Sequence, residues 1–215
     1  MMTILKDEEL EKIYKDLGFV NLHRFKAFLG SFNNLDDYNE DEWINEEFYK
    51  FASKEFNKRL DKLNIDLANK SVEEQILFVI EITKQISKEY LLNKFKGRID
   101  SEMAEKLVEY GYTHGSCNSL VYTLATLFKV ETKLFKVESY GHQCIMLNGK
   151  CFDINGCSTV EEMKAFVSAE GSESVDKCEF IDFEPQKNAH KALDYFITRY
   201  FKDVLNATPD AELCL

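Results

Sequence analysis

The chain has 215 residues, 45% of them hydrophobic, which suits one globular core with at most a helical extension. Its formal net charge of −11 is repelled by nucleic-acid phosphate and by anionic lipid, and no Lys/Arg cluster offsets it, so neither is an expected partner. No apolar run approaches a membrane span, and the opening "MMTILKDEELEKIYKD" is acidic rather than basic-then-apolar, so the expectation is a cytoplasmic protein.

The first hundred residues read as helices. Residues 7 to 17 carry Leu10, Ile13, Tyr14 and Leu17 at helical spacing. Trp43, Ile44, Phe48, Phe51 and Phe56 predict a second helix through about residue 62. Ser71 with Glu74 is a capping-box pattern that opens a third, Val72 to Phe95. A short helix near 101 to 110 follows. Segments 132 to 138, 142 to 147, 150 to 154 and 178 to 183 then read as strands. Between the last two of these, a helix capped at Ser158 or Thr159 has Glu161 and Glu162 in its first turn. Residues 187 to 205, with Ala192, Tyr195, Phe196, Ile197 and Tyr200, predict a final helix. Helices first and a hairpin-rich sheet second indicate an α+β fold.

The six cysteines, at 117, 144, 151, 157, 178 and 214, all lie in the second half, and none forms a CxxC pair. Free thiols are expected rather than disulfides. Any thiol chemistry therefore belongs to this half.

Asn148-Gly149 is a type I′ turn signal, because both central residues of that turn need positive φ. With these two as the loop, Leu147 pairs with Lys150, Met146 with Cys151, Ile145 with Phe152 and Cys144 with Asp153. One face of the hairpin then carries His142, Cys144, Met146, Cys151, Asp153 and Asn155. The other carries Gln143, Ile145, Leu147, Phe152 and Ile154. His142 and Asp153 become diagonal neighbours, about 7–8 Å apart at the backbone. A one-residue slip would separate them onto opposite faces.

Upstream, Gly115 and Ser116 interrupt the chain, and Ser116 can cap a helix with Cys117 in its first turn. The partial positive charge there favours a thiolate, and an imidazolium beside it lowers the thiol pKa further. A carboxylate behind the imidazole would fix its tautomer.

The stretches "GSCNSLVYTLATLF", "YGHQCIML" and "CFDINGC" place Cys, His and Asp in that order, with separations of 25 and 11 residues. This order resembles the transglutaminase-like branch of the papain-like cysteine enzymes over about residues 111 to 158. The resemblance implies a Cys-bearing helix packed on an antiparallel sheet, with His and Asp on adjacent strands. With it the chain is read as a papain-like catalytic core, 99–215, and a helical region, 1–98, that is a candidate lid or substrate-selecting subdomain. By the same resemblance Cys117 is the nucleophile, His142 the general base and acid, and Asp153 the orienting carboxylate. The implied activity is that of a cysteine-dependent hydrolase or acyltransferase (peptidase, amidase, deamidase or transglutaminase type). It acts on the amide of a protein, peptide or other molecule through a thioester, without a cofactor. The Cys117 backbone N–H is one oxyanion donor. Tyr112, His114 and Gln75 are candidates for a second.

Two other readings stay open. His142, Cys144, Cys151 and Asp153, with Cys157 nearby, have zinc-ligand chemistry, although not the paired knuckles that structural zinc sites use. The chain could also be a non-enzymatic binding module that keeps a transglutaminase-like fold.

Overall fold

Ser71 and Glu74 cap each other as their spacing predicts. The Glu74 N–H donates to Ser71 Oγ at 3.3 Å, and the Ser71 N–H donates to Glu74 Oε2 at 2.9 Å. In a computed structural model of the chain, which describes residues 5–31, 50–52, 54–55, 70–115 and 117–185, this cap opens a helix over Val72–Lys94. The described helices are α1 (Asp7–Asp16), α2 (Leu22–Ser31), α3 (Val72–Lys94), α4 (Ser101–His114), α5 (Cys117–Phe128) and α6 (Val160–Glu170). The strands are β1 (Glu131–Lys136), β2 (Gly141–Leu147), β3 (Lys150–Asp153), β4 (Gly156–Thr159) and β5 (Glu179–Asp182).

The fold is α+β, with helices on a five-stranded sheet of order β4-β3-β2-β1-β5, every neighbouring pair antiparallel. The β2–β3 register pairs Ile145 with Phe152, Met146 with Cys151 and Leu147 with Lys150. Asn148 and Gly149 have φ of 52° and 77°, the positive pair that a type I′ turn requires.

Alternation along these strands splits the core in two. Ile145, Phe152 and Ile154 face a cluster shared with Leu10 of α1, Phe25 and Phe28 of α2, Ile76 and Ile80 of α3, Leu107 of α4 and Leu120 of α5. Phe135, Cys144 and Cys151 face the other way, onto Met163, Phe166 and Val167 of α6. A slip of one residue would turn Ile145 and Phe152, both fully buried, away from the larger cluster. Each such side chain contributes about 1.5–3 kcal/mol by burial, so the packing holds the register that the turn selects.

Several elements differ from expectation. Helix α2 was not predicted, yet Phe25, Phe28 and Leu29 give it a fully buried stripe, and Asn21 Oδ1 accepts the Arg24 N–H at 2.9 Å at its start. Helix α4 runs on to His114, because Tyr110, Gly111, Tyr112 and Thr113 are buried in its last turn. Strand β4 pairs with β3, where the sequence suggested only the approach to a cap. That cap is Thr159, whose Oγ1 accepts the Glu162 N–H at 3.1 Å. Residues 50–52 and 54–55 of the helix expected through residue 62 are helical; the rest of it, the Ser116 cap and the helix expected over 187 to 205 lie outside the described residues.

Helix α2 meets the end of α4 at a glycine contact. A Cβ on Gly115 would stand 2.7 Å from the Gly30 Cα, where only backbone is available to move. Gly115→Ala is therefore expected to destabilise the fold by about 1–3 kcal/mol, as overpacking does. Gly30→Ala, whose Cβ would lie 3.4 Å from Gly115, is expected to cost less. Urea unfolding of the two variants measures the difference.

Candidate functional site

Cys117 is the first residue of α5 and is half-buried. His142 is the second residue of β2, 1% exposed, and Asp153 is the last residue of β3, 2% exposed. Both project from the α6 face of the sheet, as the alternation from the Asn148-Gly149 turn requires. The His142 Nε2–H donates to Asp153 Oδ2 at 2.8 Å. Asp153 is itself held: its Oδ1 accepts the Asn155 N–H at 2.9 Å, and its Oδ2 also accepts Asn155 Nδ2 at 3.1 Å. The rings of His142 and Phe166 of α6 are set T-shaped, 5.5 Å apart and at 80°.

With Nε2 committed to Asp153, Nδ1 is the nitrogen left to serve Cys117. Among the described residues Nδ1 has no closely aligned hydrogen bond. The Cys117 sulfur lies near enough to the imidazole for each group to shift the other. Hydrogen bonds in catalytic pairs are often long or poorly aligned without substrate.

The charges at the site follow from that arrangement. Burial pushes the Cys117 thiol up. The His142 ring and the backbone N–H groups of Gln143 and Asn118 outweigh it, so the thiol lies below the ordinary cysteine value. Burial pushes His142 down, but Asp153 and the Cys117 sulfur raise it to about 10. The pair therefore rests as thiolate and imidazolium from the lowered thiol value up to about pH 10.

The other cysteines are placed differently. Cys144 and Cys151 are fully buried neighbours, and Cys144 is kept protonated by its hydrogen bond to Cys151 and by burial. Cys178 is buried and Cys157 exposed, and burial raises the pKa of each. Cys214 lies outside the described residues. Among the described residues no group of three or more His, Cys, Asp and Glu side chains is assembled to hold a metal ion.

Of the side chains considered for a second oxyanion donor, Gln75 donates its Nε2–H to Lys70 O at 3.0 Å. The His114 Nε2 is bonded to Glu170 at 2.8 Å. Tyr112 is 1% exposed. The Gln143 N–H, already directed at the sulfur, was not anticipated; backbone donors leave no mark in sequence. Nor were Tyr140, Phe166 and Glu170, which line the α6 side of the site. Tyr140 had a local signal, since it stands two positions before His142.

No family model, curated protein or solved structure is matched by this chain. Among the described residues no helix is long and apolar enough to cross a membrane.

Proposed function

We propose that the chain is a cysteine-dependent hydrolase or acyltransferase with a papain-like, transglutaminase-like core, acting on an amide of a protein, peptide or smaller molecule. The observation that carries this reading is the buried His142–Asp153 bond, which leaves the other imidazole nitrogen to the Cys117 sulfur at a helix start. A purely structural histidine needs no cysteine sulfur beside its second nitrogen.

The chemistry runs as follows. The Cys117 thiolate attacks the amide carbon and forms a C–S bond. The carbonyl oxygen takes the negative charge beside the backbone N–H groups at the start of α5. The C–N bond breaks as the His142 Nδ1–H protonates the leaving amine. The thioester is then attacked by water or by a second amine, whose proton goes to His142, and the C–S bond breaks to release the thiolate, which restores the starting ion pair. Asp153 keeps the proton on Nε2, so that Nδ1 can accept and donate in turn.

An activated acyl donor such as p-nitrophenyl acetate tests this without knowledge of the substrate. Acetylation is expected on Cys117 alone, cleavable by hydroxylamine and abolished in Cys117→Ser, as read by peptide mass mapping. Label spread over Cys157 and surface lysines with none on Cys117 would return the chain to the binding-module reading.

A further inference from the structure

The Cys-bearing helix and the His side chain belong to different sides of the sheet. Helix α5 packs its Leu120, Val121 and Leu124 into the larger cluster. His142 projects toward Phe166 of α6. The sulfur and the ring meet only at the end of β2, so something must hold the α4–α5 junction against that strand end.

Two contacts do so. The Tyr140 hydroxyl donates to Thr113 O at 2.7 Å. Tyr140 stands two residues before His142, and Thr113 four before Cys117, so one bond joins the two functional segments. Beside it, the His114 Nε2–H donates to Glu170 Oε2 at 2.8 Å, which ties the end of α4 to the end of α6. The Glu170 side chain is only 7% exposed, and among the described residues its Oε1 is buried without a partner. Its carboxylate is anchored through His114. The His114 ring stacks on Tyr110 at 4.0 Å and 8° and lies 5.4 Å from Tyr140. Phe166 is set T-shaped to Tyr140 at 84° and to His142 at 80°.

We infer that the Tyr140–Thr113 bond and the His114–Glu170 pair form a clasp that positions Cys117 against His142, with Tyr140 as a positioning residue for the reaction proposed above, on which this inference rests. The hydroxyl suits the task. Burial raises the Tyr140 pKa, as do the negative charges of Cys117, Glu170 and Asp153, so it stays a donor wherever the thiolate is formed. The titratable groups around the sulfur are then His142 from β2, Asp153 from β3, Tyr140 before β2, Tyr110 and His114 from α4, and Glu170 from α6. Among these, Tyr140→Phe removes one hydroxyl and no charge.

The test is the pH–rate profile of Cys117 carboxamidomethylation in the full chain, from pH 4 to 10, with Cys157 as internal reference. In Tyr140→Phe the midpoint for Cys117 is expected to rise by about one unit, which lowers the rate by about tenfold at pH values below both midpoints and leaves the rate at pH 10 little changed. Glu170→Gln weakens the other half of the clasp but also removes a carboxylate, whose loss by itself would lower the midpoint; a rise in its midpoint is expected from loss of the clasp, and carries the test if Tyr140→Phe does not fold. A general loss of stability moves neither midpoint in the native protein. A variant profile identical to that of the unsubstituted chain overturns the clasp and leaves the triad standing. A rate lowered equally at every pH shows altered access and also overturns it. An ordinary thiol profile in the unsubstituted chain overturns the triad and the clasp together.

Discussion

Replacing Asp153 by Asn is expected to slow acyl transfer at Cys117 by roughly 10³–10⁴-fold, the scale seen where a carboxylate sets the tautomer of a catalytic imidazole. The reason lies in where its two oxygens point. Oδ1 accepts the Asn155 N–H, and Oδ2 accepts both the His142 Nε2–H and Asn155 Nδ2. If the new amide oxygen keeps the Asn155 N–H, the NH₂ faces Nε2. His142 must then carry its proton on Nδ1, where it cannot take one from the thiol. If the amide flips, its NH₂ opposes the Asn155 N–H and the turn after β3 loosens. The substitution therefore touches the turn as well as the imidazole, and a stability loss of about 1–3 kcal/mol is expected from the disturbed buried hydrogen bonds. Hydroxylamine-sensitive acetylation of Cys117, timed against urea unfolding of the same variant, separates the two effects. Acetylation within a few-fold of the unsubstituted rate would rule out the orienting role of Asp153.

The His142–Asp153 pair was legible because its two determinants are local. Asn148-Gly149 sets the turn, and alternation from that turn sets the faces. The buried Ile145–Phe152 pair then makes a slip expensive. Cys117 was legible for a similar reason: a break at Gly115 followed by an apolar helical stripe locates a helix start. The contacts of the clasp were not legible. His114 and Glu170 are 56 residues apart, and no period or motif links them; only the packing of α6 across the sheet brings them together. Strand β4 was missed because four residues, "GCST", are too short to show alternation, and the capping residues that follow gave the stronger signal. Helix α2 is a different kind of miss. Its signals, Asn21 as cap and Phe25, Phe28 and Leu29 as stripe, were present in the sequence. The same sequence gave no hint that Gly30 of this helix would press on Gly115, two residues before the thiol. That contact draws the N-terminal helices into the same packed unit as the Cys117 segment.

Cys117 is expected to be the first of the thiols to react with iodoacetamide at pH 6. An ordinary thiol with a pKa near 8.5 is less than about 1% ionised at that pH. Cys144, Cys151 and Cys178 are buried, and the exposed Cys157 has its thiol pushed upward, so accessibility alone favours Cys157. Cys117 overtakes it only if the sulfur is held as thiolate by His142 and by the Gln143 and Asn118 N–H groups. The sign of the linkage follows from the shifts. The thiolate's stabilising contribution is present above the ordinary thiol value and is lost as pH falls through the lowered folded value. That of the imidazolium is complete below about 6.5 and is lost as pH rises through about 10. Between the lowered thiol value and about 10 both charges persist, so the Cys117 rate should be nearly flat across this window. The Cys157 rate should climb about tenfold per unit until its thiol ionises. His142→Ala removes the counter-charge while burial still acts on the sulfur. Its thiolate fraction at pH 6 then drops by at least about 100-fold, and the greater nucleophilicity of a more basic thiolate restores only part of that, for a net loss of about 10–100-fold. Cys157 should be unchanged in the same digest. Peptide mapping across pH reads every thiol at once, Cys214 included. A Cys117 rate that climbs with pH in parallel with Cys157, in the unsubstituted chain and in His142→Ala alike, would mean that the imidazole at 142 does not activate the thiol.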